Sequence, residues 1–387
     1  MSSFFIMINK RVFIPIAAVS FIQGATSLLS VYLSESGISY TIIATLVSLI
    51  GIGGLVGGIF GGILSDHYNP KYLSLIISPV WILAPVLLSQ ENVILKGLAL
   101  FFIGVGLSGI RSIFLAFIVT RSLEQNLEKY LSMRRLIINL CVSLGSAIVG
   151  VLLSKDENNF IIYIIGFGVL FTLSIISIQF KEATHSRKKD NTETINLNSN
   201  IPFAFSLIAI FIALICFSYI PVFYTLYLKD IKQFSIEITG YIFSFSGFLI
   251  VTLQMPVTKF IEKINLHFRV IIGTLLISSG IYIVQYINSH AGLFASVFIW
   301  TLGEIVLFVP ALKLVMQYST VSNGKTISMY QSLFSLSDFA GPAIGGLFIL
   351  LGYAYLWDFT LLMGIASSFI LLILYKTKGF TGEYNHS

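Results

Sequence analysis

Charged residues are scarce in this chain of 387 residues. Only 10% of its residues are Asp, Glu, Lys or Arg, whereas soluble domains have about 25%. The two cysteines, Cys141 and Cys216, both lie in apolar runs, so no disulfide framework is indicated. The sequence also lacks a nucleophile–base pair, a metal-ligand spacing and a phosphate-binding loop. We therefore expect neither an enzyme nor an ATP-driven pump, and we expect no metal or organic cofactor.

Long apolar runs account for most of what is present. Hydrophobic residues make up 56% of the chain, and twelve apolar runs lie near 12–33, 40–62, 72–89, 97–120, 131–153, 160–180, 203–228, 238–259, 268–287, 292–313, 326–350 and 353–375. Helices of about 18–26 residues are roughly 27–39 Å long, against a hydrocarbon core of about 30 Å. Lipid cannot satisfy backbone polar groups, and the runs are too long for barrel strands. The sequence predicts an all-α membrane protein with twelve transmembrane helices.

The basic residues alternate between the gaps that separate these runs. Of the 23 Lys and Arg residues, 18 fall in every second gap, four fall in the other gaps, and Arg111 lies inside a run. We call the side with those 18 residues the basic side. The positive-inside rule makes it cytoplasmic and places both termini there. The net charge of +6 is thus explained by topology, and no nucleic-acid partner is expected.

One polar break divides the spans six and six. Residues 181–200 are charged, rich in Asn and Thr, and without apolar periodicity, which predicts a cytoplasmic linker between six-helix bundles at 1–180 and 201–387. A shift of 196 residues aligns seven identities within positions 132–150, from Ser132 with Ser328 to Gly150 with Gly346. An even number of spans gives both halves the same orientation. Such pseudo-symmetric bundles suit alternating access around a central site.

The loop after the second run reads Gly62-Ile-Leu-Ser-Asp66-His-Tyr-Asn-Pro-Lys71. It resembles the loop motif of the major facilitator superfamily, a Gly-x-Leu-Ala-Asp-Arg-x-Gly-Arg-Lys type sequence, and departs from it at His67, Asn69 and Pro70. The resemblance implies gating roles for Gly62, Asp66 and Lys71, with Arg121 or the start of the eleventh span near Thr326 as a partner. The alternative is an ordinary capped loop.

A second resemblance lies in the eleventh run, as Gly341-Pro342-Ala-Ile-Gly345-Gly346. A Gly-Pro-x-x-Gly-Gly sequence in the fifth helix marks the antiporter branch of the superfamily, and here the fifth run has Gly145-Ser-Ala-Ile-Val-Gly150 instead. These small residues are expected to pack helices closely. Ser146 replaces the proline, and the branch's arginine is missing near Leu100. The closest likeness is to twelve-span bacterial drug–proton antiporters.

Three charges lie deep in the runs. Arg111, Glu304 and Asp338 each cost about 2.5–3.5 kcal/mol at the centre of a bilayer on insertion scales, so they require a cavity or mutual pairing. A carboxylate in such a site is a plausible proton carrier. We expect Asp338 or Glu304 to carry the coupling proton, with Arg111 tuning it or binding an anionic substrate group. The alternatives are a fixed ion pair between the halves and, for Arg111, a polar lock inside the first half.

Polar side chains in other runs are candidates for the substrate cavity. They are Gln23, Asn139, Tyr219, Tyr224 and Tyr227. Interhelical hydrogen bonding or anchoring at the lipid interface is the alternative for each. Arg134 and Arg135 open the fifth run, and we expect them to serve topology.

The predicted function is proton-coupled secondary transport of a small organic solute by alternating access, with efflux by antiport favoured. The alternative is a proton symporter that imports a nutrient such as a sugar, peptide, organic acid or siderophore. The resemblance implies a multi-pass protein of the bacterial cytoplasmic (inner) membrane. We expect a monomer with lipids, protons and a small-molecule substrate as its partners, and the proton gradient as its energy source.

Overall fold

The computed structural model describes residues 10–65, 67–122, 124–178, 201–319 and 323–380. Within them, eleven helices are long and apolar enough to cross a membrane, and a bent helix pair at the start makes up to twelve. The predicted fold class, an all-α membrane protein of twelve spans, is confirmed. The predicted linker at 181–200 lies outside the described residues.

The first six spans comprise eight helices. They are α1 (Phe13–Thr26), α2 (Leu29–Glu35), α3 (Tyr40–Ser65), α4 (Pro70–Ile77), α5 (Val80–Leu88), α6 (Val93–Arg121), α7 (Glu124–Leu153) and α8 (Asn158–Ser177). The pair α1 and α2 forms one span bent by 47°. Pro79 separates α4 from α5, because proline has no backbone N–H to continue the helix.

The last six spans comprise six helices and a wide-turned extension. The helices are α9 (Ile201–Ser218), α10 (Ile236–Ile261), α11 (Leu266–Tyr282), α12 (His290–Tyr318), α13 (Asn323–Ile349) and α14 (Tyr353–Phe380). After α9 the chain continues as π-helical turns at Ile220–Tyr224 and Tyr227–Ile231. Pro221 lies in the first of these, where its missing N–H disfavours a regular α-helix.

The chain divides into two compact units, each described here by itself. Unit 1 comprises residues 1–190 with 221–251, and unit 2 comprises residues 191–220 with 252–387. The segment 221–251, which the sequence-based division counts with the second bundle, therefore packs with the first six spans. The domain boundaries at 1–180 and 201–387 stay a prediction.

Glycines bring α3 and α6 together in unit 1. Gly53, Gly57 and Gly61 are spaced by four residues and form one stripe along α3. A Cβ atom at Gly61 would lie 2.8 Å from the carbonyl oxygen of Gly109, and one at Gly57 would overlap the backbone of Val105. The two backbones therefore pack at a distance that only glycine permits, as small-residue interfaces do in membranes.

Unit 2 has an equivalent glycine interface between α11 and α12. A Cβ atom at Gly273 would lie 2.8 Å from the nitrogen of Leu307, and one at Gly280 would lie 2.7 Å from the nitrogen of Trp300. A Cβ atom at Gly341 of α13 would overlap the side chain of Ser218 in α9. Close backbone packing thus adds to the buried apolar side chains that hold neighbouring helices together in each unit.

Gly57→Ala tests this packing directly. The added methyl group would overlap backbone atoms of α6, and such overpacking costs roughly 1–3 kcal/mol of unfolding free energy. We expect the melting temperature of the purified protein in detergent to fall by several degrees.

Gly62→Ala is the matched control, because a Cβ atom at Gly62 has nothing within 4 Å. Alanine is the better helix former by up to about 1 kcal/mol, so its melting temperature should stay level or rise. Equal melting temperatures for the two variants would contradict the glycine interface.

Candidate functional site

A small pocket lies among α1, α6 and α7 of unit 1. Its lining residues are Ile16, Val19, Ser20, Gln23, Ile110, Arg111, Phe114, Arg134 and Ile138, and it has room for about one water molecule. Gln23, Arg111 and Arg134 each lie ten residues from the end of their helix on the basic side. At about 1.5 Å per residue this places Gln23 and Arg111 roughly 15 Å deep, near the middle of a bilayer. The membrane span of α7 begins only at Tyr130, so Arg134 lies about 6 Å into it.

Two guanidinium groups share this pocket. Arg111 and Arg134 are half-buried and close enough for their charges to repel each other. The Nε atom of Arg134 is buried without a hydrogen-bond partner among the described residues. The lining contains no carboxylate. The site is therefore a positively charged pocket with apolar walls.

Arg134 and its neighbour Arg135 differ in environment. Arg135 is exposed, whereas Arg134 is turned into the pocket. The assignment of both residues to topology is therefore incomplete for Arg134. Charge counting treats neighbours alike, but a helix turns about 100° between them.

The two deep carboxylates belong to unit 2. The rings of Phe308 in α12 and Phe334 in α13 are 5.3 Å apart, and Tyr330 donates a hydrogen bond to the carbonyl oxygen of Phe308 at 2.8 Å. Glu304 lies four residues before Phe308, and Asp338 lies four residues after Phe334. Consecutive spans run in opposite directions, so both carboxylates lie about one turn from the ring contact, on the same side and at a similar depth.

Asp338 is exposed, and it lies on the polar face of α13. Leu347 is nine residues further along and is 65% exposed, which places the two side chains on opposite faces of the helix. Gln331 and Ser335 lie on the face of Asp338, whereas Leu336 and Leu350 lie on the face of Leu347. Leucine suits lipid, while a polar face at this depth suits water or protein. Glu304 is half-buried.

Residues 1–337 match the sequence model of the family described as the Major Facilitator Superfamily. The chain belongs to this superfamily. The family match confirms that the chain is a transporter and not an enzyme. The match does not assign the chain to the drug–proton antiporter branch. No curated protein sequence matches the chain significantly.

Solved transporters share this superfamily fold at low sequence identity. A peptide transporter POT in complex with sulfate has a TM-score of 0.77 at 14% identity, with 98% of this chain and 96% of that chain covered. A nucleoside transporter has a TM-score of 0.76 at 12% identity, with coverage of 94% and 100%. A D-xylose–proton symporter has a TM-score of 0.73 at 11% identity, with coverage of 93% and 96%.

The predicted gating residues have separate environments. Asp66 lies outside the described residues. Gly62 has open space around it, and the close approach of α3 to α6 uses Gly61 instead. The ammonium of Lys71 donates to the carbonyl oxygens of Ile176 at 3.0 Å and Ile178 at 3.2 Å, so it caps the end of α8. Arg121 ends α6, 5.9 Å from the ring centroid of Phe117. The gating roles stay predictions.

Hydrogen bonds and ion pairs link α2 to the π-helical turns in unit 1. Ser30 donates to the carbonyl oxygen of Pro221 at 2.8 Å, and its hydroxyl lies 2.8 Å from that of Thr225. Ser34 donates to Asp230 at 3.0 Å, and Lys229 pairs with Glu35. We call this set the opposite-side contacts, because these ends of the first and seventh spans lie away from the basic side.

A second set of contacts joins α7 to α10. Ser143 donates to the carbonyl oxygen of Ser244 at 2.8 Å, and Ser244 donates to that of Ser143 at 2.6 Å. A Cβ atom at Gly150 would lie 3.0 Å from the Cα atom of Gly240. Like the opposite-side contacts, these involve 221–251, and they explain why that segment belongs to unit 1.

Most of the predicted cavity residues are buried in protein. Gln23 lines the positively charged pocket, and Asn139 is half-buried beside α10, where its carbonyl oxygen packs near Gly247. Tyr219 and Tyr224 are fully buried, and Tyr227 is 7% exposed. Whether any of these five residues contacts substrate stays a prediction.

Three of the glycines predicted to pack helices, Gly145, Gly150 and Gly341, make close contacts, and the packing role of the whole set stays a prediction. A Cβ atom at Gly145 would lie 2.9 Å from the carbonyl oxygen of Phe21 in α1. Pro342 is buried within α13, as are Gly345 and Gly346. Gly150 meets Gly240, and Gly341 meets Ser218, as described above.

Ser146 occupies the position where the antiporter motif has proline. Its hydroxyl lies 3.1 Å from the carbonyl oxygen of Gly24 and 2.9 Å from that of Val142. Gly24 is at the end of α1, where the first span bends, and its carbonyl oxygen also accepts from the nitrogen of Ser27. The serine thus links α7 to the bend, which a proline cannot do because it has no donor.

Ser146→Ala should therefore destabilise the protein. Loss of a buried hydrogen bond between helices lowers the free energy of unfolding by about 0.5–1.5 kcal/mol. We therefore expect a lower melting temperature of the purified protein in detergent. Ser174→Ala is the control, because Ser174 is also buried but, within the part of the chain that the structure describes, its hydroxyl donates to Phe171 of its own helix. An equal fall in the melting temperature of the control would show that the hydrogen bond from Ser146 to Gly24 is not the cause of the destabilisation.

Proposed function

We propose that this protein is a proton-coupled secondary transporter of a small organic solute, and that it imports the solute by symport. The observation that carries the proposal is the pair of carboxylates, Glu304 and Asp338, at similar depth in unit 2, with Asp338 on the polar face of α13. An acidic group in such a place can take up a proton on one side and release it on the other.

Two observations favour symport over exchange. Ser146 makes an interhelical hydrogen bond at the position where the antiporter branch has proline. Among similar solved structures is a D-xylose–proton symporter, and others are peptide transporters. Efflux by antiport remains the second candidate, because Gly341-Pro342-x-x-Gly-Gly in α13 resembles the antiporter motif.

Alternating access would use the contacts of 221–251 as a gate. In a transporter made of two rocking bundles, contacts between bundles on one side close that side. The opposite-side contacts join the first span to the seventh, and the sequence assigns these spans to different bundles. We therefore propose that they close the non-cytoplasmic side and break during each transport cycle.

Asp338→Asn tests the coupling. Asparagine is similar in size but cannot release a proton, so accumulation of solute in proteoliposomes under an imposed pH gradient should fall at least about tenfold. Exchange of labelled for unlabelled solute without a gradient should persist, because it needs only loaded reorientation.

Asp358→Asn is the matched control, since Asp358 is an exposed aspartate five residues into α14. Its gradient-driven transport should equal that of the unmodified protein. Normal accumulation by Asp338→Asn would exclude Asp338 from coupling. Gradient-driven extrusion rather than accumulation would replace symport with antiport.

A reversible cross-link tests the gate. Ser30→Cys with Thr225→Cys, in a chain whose two native cysteines are replaced by alanine, should form a disulfide under oxidation. If the opposite-side contacts must open, transport should stop when the bond forms and return on reduction. Each single cysteine variant under the same oxidant is the control. Undiminished transport by cross-linked protein would contradict the gate.

A further inference from the structure

We infer that Lys96 is a positioning residue for the opposite-side contacts. It acts through the ring of Tyr32, and it holds α2 where Ser30 and Ser34 meet the π-helical turns. This inference rests on the proposed function and deepens it, because it names a group that sets the position of the proposed gating helix.

Lys96 lies where a lysine is unfavourable. It is one of the four basic residues outside the basic side and outside the runs, and it is the fourth residue of α6, near the positive end of the helix dipole. Only 4% of Lys96 is exposed, and a lysine is almost never fully buried unless it is paired. A position that breaks several such rules is commonly a functional or strained site. The contacts of Lys96 must therefore offset these costs.

The first contact of Lys96 is with the end of α5. Its ammonium donates a hydrogen bond to the carbonyl oxygen of Leu88 at 2.8 Å. Leu88 is the last residue of α5, so this oxygen lies at the negative end of that helix dipole. The carboxylates of Glu157 and Glu91 add a longer-range attraction. The ammonium is thereby fixed between the end of the third span and the start of the fourth.

The second contact of Lys96 is with the ring of Tyr32 in α2. The ammonium lies over this ring, 5.7 Å from its centroid. A cation within about 6 Å of a ring face is attracted to it, most strongly where water is excluded. Phe160 of α8 stacks on the same ring, with 4.6 Å between the centroids and 15° between the planes. Tyr32 and Phe160 are both buried. The ring is thus held by groups from the fourth and sixth spans.

Tyr32 and the serines of the opposite-side contacts lie on different faces of α2. Ser30 and Ser34 are four residues apart and share the face that meets Thr225 and Asp230. Tyr32 is two residues from each serine, which places it about 200° around the helix. Because α2 has only seven residues and follows a bend of 47°, the contacts of Tyr32 affect the position of both serines. We expect α2 to stay with the first six spans when the opposite-side contacts break.

The test is the rate at which a cysteine pair across these contacts forms a disulfide. Ser30→Cys with Thr225→Cys is placed in the full-length chain, with Cys141 and Cys216 replaced by alanine. The initial rate is measured in detergent with copper phenanthroline as the oxidant. Lys96→Met keeps a long unbranched side chain but removes the ammonium. It should slow cross-linking at least about threefold, the loss expected for one cation–π contact.

Two controls separate this effect from a general loosening of the protein. Lys155→Met removes an exposed lysine outside the basic side and should leave the rate unchanged. A second pair, Ser143→Cys with Ser244→Cys, reports on the contacts between α7 and α10. Lys96→Met should not change the rate of this second pair. Lys96→Arg keeps a cation and should retain most of the rate of the first pair.

A double-variant cycle tests whether Lys96 acts through Tyr32. Tyr32→Leu removes the ring but leaves the hydrogen bond from Lys96 to Leu88 possible, and it should slow cross-linking of the first pair. Adding Lys96→Met should then slow the reaction little further, because the effects of residues in contact are not additive. Tyr32→Phe keeps the ring and should react at the unmodified rate.

Melting curves show whether each variant is folded. If Lys96→Met does not fold, Lys96→Gln takes its place, because the glutamine amide can still donate a hydrogen bond while the charge is lost. If neither variant folds, the comparison of Tyr32→Leu with Tyr32→Phe decides, and equal rates for these two would overturn the inference.

Three further outcomes would overturn it. They are an unchanged rate of the first pair in Lys96→Met, an equal slowing of both pairs, and a full further slowing when Lys96→Met is added to Tyr32→Leu. The rate of cross-linking needs neither solute nor gradient. Failure here is therefore distinct from failure of the proposed function, which is measured as transport by the cross-linked protein.

Discussion

The cost of placing charge in hydrocarbon is the constraint on which the rest of this structure depends. Most charged residues lie near the ends of the apolar runs. Arg111, Glu304 and Asp338 are the exceptions that the sequence identifies. The structure adds Arg134, which lies near the start of its span but is turned into protein. Each of the four lies where a protein wall or a polar helix face takes the place of lipid. Because a buried charge is costly, its position is informative: one unit holds the cations and the other holds the carboxylates.

Close helix packing makes those positions possible. The glycine stripe of α3 brings it against α6, and Ser146 and Gly145 bring α7 against α1. α1, α6 and α7 are the helices that carry Gln23, Arg111 and Arg134. The same close packing between α7 and α10 joins 221–251 to the first six spans. These contacts are hydrogen bonds and close backbone approaches.

Much of the fold could be predicted from the sequence, because hydrocarbon thickness fixes span length and basic residues mark alternate gaps. The bend between α1 and α2 could not, since no proline marks it and a bond from Ser146, 119 residues after Ser27, supports it. Arg111 was recognised because it lies inside an apolar run. Arg134 was assigned to topology, because only the rotation of α7 separates it from Arg135. Lys71 matched a gating motif, yet its observed bonds cap α8, because motif spacing does not show which acceptors a side chain reaches.

The most direct test of the central claim is the water accessibility of the two faces of α13. Single cysteines at Ser335 and Leu347, in a chain without Cys141 and Cys216, can be exposed to a charged, membrane-impermeant thiol reagent in proteoliposomes. The account predicts that Ser335→Cys, on the face of Asp338, reacts and is protected by bound solute, whereas Leu347→Cys does not react. Equal reactivity, or reaction at Leu347→Cys alone, would contradict a hydrated polar face at this depth.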